Sequence, residues 1–236
     1  MDEQRSAKLG QLIQRLKLNL CAWNELHMAL THPSYSFENP LLAQENNQRL
    51  EFLGDAILDF IVGEYLYRNF TEKPEGELTK MRAAVVNEHT LAKRALNLGL
   101  GDFLLLGKGE ELSGGRERPS ILADALEALI GAVYLEHGLS MTQDLVINQL
   151  QADIDEVAHG NYGDYKTTLQ EKAQKRDNVV TYQILAETGP DHNKRFVAGV
   201  YLNGNLLTRG EGRTKKEAEQ AAARLALAQW KGDKHH

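Results

Sequence analysis

Hydrophobic and polar positions divide this chain into two stretches of different period. In residues 48–68 and 120–137, apolar and charged residues mix over long spans without an internal proline, which predicts long helices. Strand-like alternation is scarce before residue 179. Pro33, Pro40, Pro74 and Pro119 fall between the periodic segments, where they would interrupt helices. The first part therefore reads as an all-α domain of several packed helices, residues 1–158. Beyond it the pattern changes. Residues 165–176 read as a helix, and VVTYQILAE (179–187) is β-branched and aromatic, which predicts a strand. RFVAGVYL (195–202) and LLTRGEG (206–212) follow, separated by Asn203-Gly204-Asn205, a hairpin signal. The alanine-rich TKKEAEQAAARLALAQW then predicts a final helix. The α-β-β-β-α order over residues 165–236 predicts an α+β domain. Both helices must cover one face of a three-stranded antiparallel sheet, because that face needs burial. HGNYGDY, at 159–165, holds two glycines and an asparagine and predicts a flexible linker over 159–164.

Composition adds exclusions. The single Cys21 rules out an internal disulfide and a four-cysteine zinc site, and suits a reducing cytoplasm. No uncharged apolar run approaches the ~18 residues of a membrane helix, and the N-terminal MDEQRSAKLG is too charged for a signal peptide. The net charge of −6 argues against a nucleic-acid partner until it is split by region. Residues 1–161 carry 14 Lys and Arg against 24 Asp and Glu, whereas residues 162–236 carry 13 against 9. An acidic first part and a basic second part point to two domains with different partners.

The most informative stretch is NNQRLEFLGDAILDF, residues 46–60. On a helix, Gln48, Glu51, Asp55 and Asp59 share one face. Glu51 and Asp55 are one turn apart, and like charges at that spacing cost a helix roughly 0.2–0.5 kcal/mol. They sit among Leu50, Phe52, Leu53, Ile57 and Leu58, which should be largely buried, so the carboxylates need a compensating cation or proton. A second pair, Asp124 and Glu127, lies in the still more apolar ILADALEALIGAVYL. One acidic pair is common on a solvated helix face. Two pairs on two buried helices can face each other across a gap lined by oxygen, which suits Mg²⁺, or Mn²⁺, rather than zinc. Two such ions would support in-line displacement at phosphorus. Asp59 lies about 12 Å from Glu51 at 1.5 Å per residue and is left out of the site. A di-iron site also uses helix carboxylates, but it needs Glu-x-x-His, which neither helix contains.

In the second domain, Thr214-Lys215-Lys216-Glu217 fits a capping box, with Thr214 as N-cap and Glu217 at N3. Lys215 and Lys216 occupy the first turn, where the helix dipole disfavours cations unless phosphate binds there. Arg213 lies just before. The loop from Glu187 to Arg195 is long enough for His192 to reach into a groove. Thr167, Gln170 and Gln174 share a helix face at i, i+3 and i+7, a spacing suited to 2′-hydroxyl contacts in a wide minor groove.

At this point the chain resembles a known family. RLEFLGDAIL (49–58), ALTHPSY (29–35), GKGEELSGGRERPSILADALEALIGAVYL (107–135) and GEGRTKKEAEQAAA (210–223) look like ribonuclease III, in that family's order and over nearly the whole chain. The resemblance implies an all-helical endonuclease domain followed by a double-stranded RNA-binding domain. It implies an endonuclease that cuts double-stranded RNA, leaving 5′-phosphate and 3′-hydroxyl ends with a short 3′ overhang, with ribosomal and other RNA precursors as the expected substrates. Glu51, Asp55, Asp124 and Glu127 match the family's metal-binding carboxylates, with Asp55 and Glu127 as the catalytic pair and Glu127 foremost. Glu75 matches a further acidic residue lining the cleft. The family usually has glutamate where this chain has Gln48, which puts an auxiliary role there in doubt. The resemblance also implies a homodimer in which Phe52 inserts into the partner, although an ordinary core phenylalanine fits the sequence as well. No small-molecule cofactor is implied. The competing reading is a non-catalytic duplex-RNA-binding protein on the same fold; retention of all four carboxylates argues against it.

Overall fold

Residues 3–18, 23–43, 45–158, 165–190 and 194–230 are described by the structure, a computed structural model. The chain separates into two compact units, Met1–His159 and Gly160–His236. The expected linker, His192, Cys21 and the terminal Lys234-His235-His236 lie outside the described residues.

The regular elements of the first unit are helices among its described residues, as the pattern predicts, joined by loops and one isolated bridge between Thr31 and Leu105. Its helices are α1 (Glu3–Leu16), α2 (Trp23–Ala29), α3 (Pro33–Glu38), α4 (Gln48–Asn69), α5 (Glu75–Val85), α6 (Glu88–Asn97), α7 (Lys108–Leu112) and α8 (Pro119–Ala158). Three of the unit's prolines open helices rather than merely separating them, whereas Pro40 lies in the turn after α3. Pro33 and Pro119 are the first residues of α3 and α8, and Pro74 caps α5. A first-turn proline has no hydrogen bond to lose and arrives with a helical φ. Helix α4 buries Leu50, Gly54, Leu58, Ile61, Val62 and Leu66, a stripe at intervals of three and four. Helix α8 is buried on nearly every side between Ile121 and Val133, which marks it as the central helix. It runs well past the predicted end at 137, with one break at Gly138 (φ 70°, ψ −169°), where glycine alone fits easily.

Where α4 crosses α8 the backbones touch. A Cβ on Gly54 would lie 1.8 Å from the Glu127 carbonyl oxygen, and one on Gly131 would lie 2.4 Å from the Leu50 carbonyl oxygen. Both contacts fall far inside van der Waals distance, so only glycine permits this crossing. The expectation that all five apolar neighbours of Glu51 are largely buried needs correction. Leu50 and Leu58 are buried and Leu53 and Ile57 half-buried, but Phe52 is 80% exposed. It projects from the side of α4 that α8 does not cover.

The second unit has the predicted order: α9 (Tyr165–Gln174), β1 (Val180–Thr188), β2 (Arg195–Leu202), β3 (Asn205–Gly212) and α10 (Lys215–Gln229). The sheet is antiparallel in the order β1-β2-β3. Asn203 and Gly204 turn the second hairpin with positive φ at both positions, and Asn205 belongs to β3 rather than to the turn. The core joins Leu169 of α9, Val200 of β2 and Ala222, Ala223 and Ala226 of α10, so both helices cover one face. The alanines are contact residues. A Cβ on Gly210 would lie 2.1 Å from the Ala222 nitrogen, so the helix rests almost directly on β3. Thr208 Oγ1 donates to the Ala222 carbonyl (2.7 Å) across the same seam.

Candidate functional site

The glycine crossing sets the distance between the two acidic helices. Glu51 of α4 and Asp124 and Glu127 of α8 each bring a carboxylate oxygen within 4.8 Å of the other two, and all three residues are half-buried. Asp55, the fourth residue expected there, is exposed and stands outside this set of three. It is nevertheless close enough for its charge to act on both Glu51 and Glu127. The physical reason is position: Asp55 lies one turn along α4, where the face opens to solvent.

Burial and neighbouring negative charge raise the pKa of all three carboxyls. Burial, then the charges of Asp55, Asp124, Glu51 and Asp59, push the Glu127 carboxyl up to about 8. Burial raises Glu51, with Asp124 and Asp55 adding to the effect. Asp124 is also raised, chiefly by burial, with Glu88 adding and His32 opposing. A clustered set of oxygen donors that cannot all ionise together fits a hard divalent cation, because such an ion supplies the missing positive charge. These residues therefore fit Mg²⁺ or Mn²⁺.

Gln48 is the exposed first residue of α4, its backbone N–H held by the Asn46 side chain (3.2 Å). Glu75 opens α5, is exposed and accepts from Thr79 Oγ1 (3.0 Å). Neither belongs to the group of three. Asp59, excluded by its distance from Glu51, still adds its charge to the rise at Glu127. Arg82 Nε of α5 lies 3.9 Å from its Oδ1.

One neighbour of the cluster carries a role that spacing did not reveal. His32 lies within the quoted ALTHPSY and caps α3, its Nδ1 accepting from the Ser34 N–H (3.2 Å). That acceptor role leaves Nε2 as the protonated nitrogen of the neutral ring. Burial lowers its pKa, while the charges of Glu110 and Asp124 oppose. The segment is fixed by His32 N–H to the Leu105 carbonyl (3.0 Å) and by Asn47 N–H to the Thr31 carbonyl (2.9 Å) at the entrance to α4. These are contacts between distant parts of the chain, and no local pattern announces them.

In the second unit, Thr167, Gln170 and Gln174 are all exposed, on the side of α9 opposite the buried Leu169 and Ala173. Arg213, Lys215 and Lys216 are also exposed at the start of α10. Thr214 Oγ1 accepts from the Glu217 N–H (3.1 Å), as a capping box requires. The return contact differs from expectation: Glu217 Oε2 accepts from Arg213 N–H (2.8 Å) rather than from Thr214. The Lys215 ammonium lies 5.9 Å from the Phe196 ring centre, which steadies it near the sheet.

Comparison with known proteins agrees with this division. The Ribonuclease-III-like family model matches residues 24–154, and the double-stranded RNA binding motif matches residues 165–229. The chain is similar to the Ribonuclease 3 of Syntrophomonas wolfei, 59% identical over 206 residues, covering 86% of this chain and 88% of that protein. It is 50% identical to the Ribonuclease 3 of Moorella thermoacetica over 230 residues, 97% of each chain. The first unit resembles the crystal structure of the nuclease domain of ribonuclease III from Campylobacter jejuni. That match has a TM-score of 0.56 and 46% identity, covering 61% of this chain and 94% of that one. A second structure of the same domain, whose title describes a region involved in dimer formation, matches with the same TM-score and 47% identity.

Proposed function

Since the chain belongs to the ribonuclease III family of endoribonucleases, we propose that it hydrolyses double-stranded RNA by a two-metal-ion reaction at Glu51, Asp55, Asp124 and Glu127. The products carry 5′-phosphate and 3′-hydroxyl ends with a short 3′ overhang. Residues 1–158 form the catalytic domain, 159–164 the linker and 165–236 the RNA-binding domain. The observation that carries the reading is the convergence of Glu51, Asp124 and Glu127 in a chain that also bears a double-stranded RNA binding motif.

The four carboxylates would hold Mg²⁺, with Mn²⁺ as a substitute. Bound there, the cations supply activation of a water and charge neutralisation at phosphorus and the departing 3′ oxygen. The protein supplies the rest. Glu127 holds its proton near neutral pH and gives it up when positive charge arrives. The Gly54 crossing fixes the separation of Glu51 from Asp124 and Glu127. Asp55, exposed beside them, completes the donor set. The acidic first domain repels RNA, so attraction comes from Arg213, Lys215 and Lys216, with Thr167, Gln170, Gln174 and His192 reading the duplex grooves. Gln48 and Glu75 serve auxiliary roles at the cleft. Two copies pair through Phe52, and a twofold enzyme cuts both strands of a twofold duplex. Processing of ribosomal and messenger RNA precursors in the cytoplasm follows from this activity.

The test is a long perfect RNA duplex incubated with Mg²⁺, with Ca²⁺ and with chelator, alongside Glu127→Gln. Short duplex products in Mg²⁺ alone, lost in the variant, support the reading. Tight binding without cleavage in either Mg²⁺ or Mn²⁺ overturns it in favour of a duplex-binding protein.

A further inference from the structure

We propose that Arg82 is a phosphate-binding residue that receives the RNA backbone beyond the carboxylate cluster, so that the duplex follows the α4 axis from Glu51 towards Gly63. The inference rests on the endonuclease reading and adds a substrate contact to it. The acidic row of α4 continues past the cluster: Glu51, Asp55 and Asp59 succeed one another at one-turn intervals, about 6 Å each at 1.5 Å per residue. Asp59 is part of the same electrostatic field, because its charge bears on Glu127. Cations held by the cluster would neutralise its carboxylates but leave Asp59 as the last negative charge along the path. Arg82 answers it from α5.

The geometry of this pair is that of a loosely held cation. Arg82 Nε lies 3.9 Å from Asp59 Oδ1, at the outer limit of an ion pair, and the two side chains are 43% and 45% exposed. Solvent screens such a contact strongly, so a phosphate oxygen can displace the aspartate. The guanidinium is nonetheless placed in advance. A Cβ added at Gly63, one turn beyond Asp59, would meet Arg82 Cδ and Nη1 at 3.7 Å, so the side chain lies against α4 where glycine leaves room. By contrast, Arg68 is held by two hydrogen bonds to Glu64, and Arg116 is held by Glu111 and the carbonyls of Gly101 and Leu104. Arg82 thus combines exposure, a fixed base and a weak partner beside the cluster. A planar guanidinium pairs two-pronged with phosphate, which a lysine cannot reproduce.

The experiment measures affinity for a short RNA duplex in Ca²⁺, under conditions where no product forms, across a salt series. It uses the full-length wild type, Arg82→Gln, Arg82→Lys and Asp59→Asn. Each phosphate contact contributes about 0.9 to the slope of log affinity against log salt for B-form DNA, and a similar value applies here. Arg82→Gln is expected to flatten the slope by roughly that amount, whereas Arg82→Lys keeps the charge and therefore the slope but binds more weakly, because the two-pronged contact is lost. Asp59→Asn is expected to hold affinity or raise it, because it removes the competitor for the guanidinium. An unchanged slope in Arg82→Gln overturns the proposal, as does a loss of affinity in Asp59→Asn equal to that in Arg82→Gln, which would mark the pair as a strut between α4 and α5. Cleavage by the wild type in Mg²⁺ is scored separately, so a protein that cuts duplex RNA while Arg82→Gln keeps its slope refutes the phosphate contact alone.

Discussion

Gly54 lies so close to Glu127 that a Cβ on the glycine would fall 1.8 Å from the glutamate's carbonyl oxygen. The carbonyl belongs to the residue whose side chain is most strongly perturbed in the molecule's acidic cluster. Close packing and chemistry therefore meet at one residue, and a methyl group on α4 must push α8 and its carboxylates outward.

Gly54→Ala is accordingly expected to cost at least about 1–3 kcal/mol by overpacking. The variant should show a lower midpoint in chemical denaturation and a weaker Mg²⁺-dependent rise in melting temperature than the wild type. An unchanged midpoint would mean that the helices separate freely.

Glu127→Gln tests the centre of the site. The substitution keeps size and removes the charge that the cation needs, so duplex cleavage should be abolished while duplex binding in Ca²⁺ is retained. Above about pH 8, where Glu127 ionises, it also removes repulsion from the metal-free cluster. In chelator the variant should therefore melt no lower than the wild type, whereas Mg²⁺ should raise its melting temperature less.

Proton linkage gives a pH prediction. Glu127 is raised from an ordinary carboxyl to about 8 in the folded protein. A raised folded pKa means that stability is fully present at low pH and is lost as pH rises through that value. In chelator, the melting temperature should fall as the pH rises from about 4.5 to about 8 and level off above that, and Glu127→Gln should flatten that fall. Mg²⁺ competes with the proton, so its affinity should rise over the same window. Calorimetric titration in buffers of different ionisation heat would show proton release on Mg²⁺ binding at pH 7.

Phe52 tests the pairing of two copies. It is 80% exposed, so replacement by Asp removes little packing within the chain. Sedimentation should show the wild type as a dimer at micromolar concentration and Phe52→Asp as a folded monomer. The helical circular dichroism signal should be unchanged. A dimeric variant would place the interface elsewhere.

At the other end of the chain, Thr214→Ala removes the acceptor for the Glu217 N–H and should cost about 1 kcal/mol of stability in the second domain. Lys215→Ala and Lys216→Ala should leave stability nearly unchanged and weaken duplex binding at low salt. Each should flatten the salt dependence by about one phosphate contact.

Much of this molecule was legible in its residues because the signals are local. Period and proline placement identified the helical first part, Asn203-Gly204 identified the hairpin, and the β-branched runs identified the strands. A helix face is also a local property, so the grouping of Glu51 with Asp55, and of Asp124 with Glu127, follows from spacing alone. The spacing could not decide how far apart the two helices lie. That separation is set by Gly54 and Gly131, whose role is visible only when one backbone meets the other. It brings three carboxylates together and leaves Asp55 at the exposed edge. Likewise, Ala218 and Ala222 read as helix formers, and only the contact with Gly210 and Gly212 shows that they are small because β3 lies against them. His32 beside Asp124 and Arg82 beside Asp59 join segments far apart in sequence, and chain folding alone made them neighbours. The elements and the chemistry of each face are written in the residues, because they depend on neighbours along the chain. Tertiary structure decided the distances between faces, because those depend on which side chains are absent where helices and strands cross.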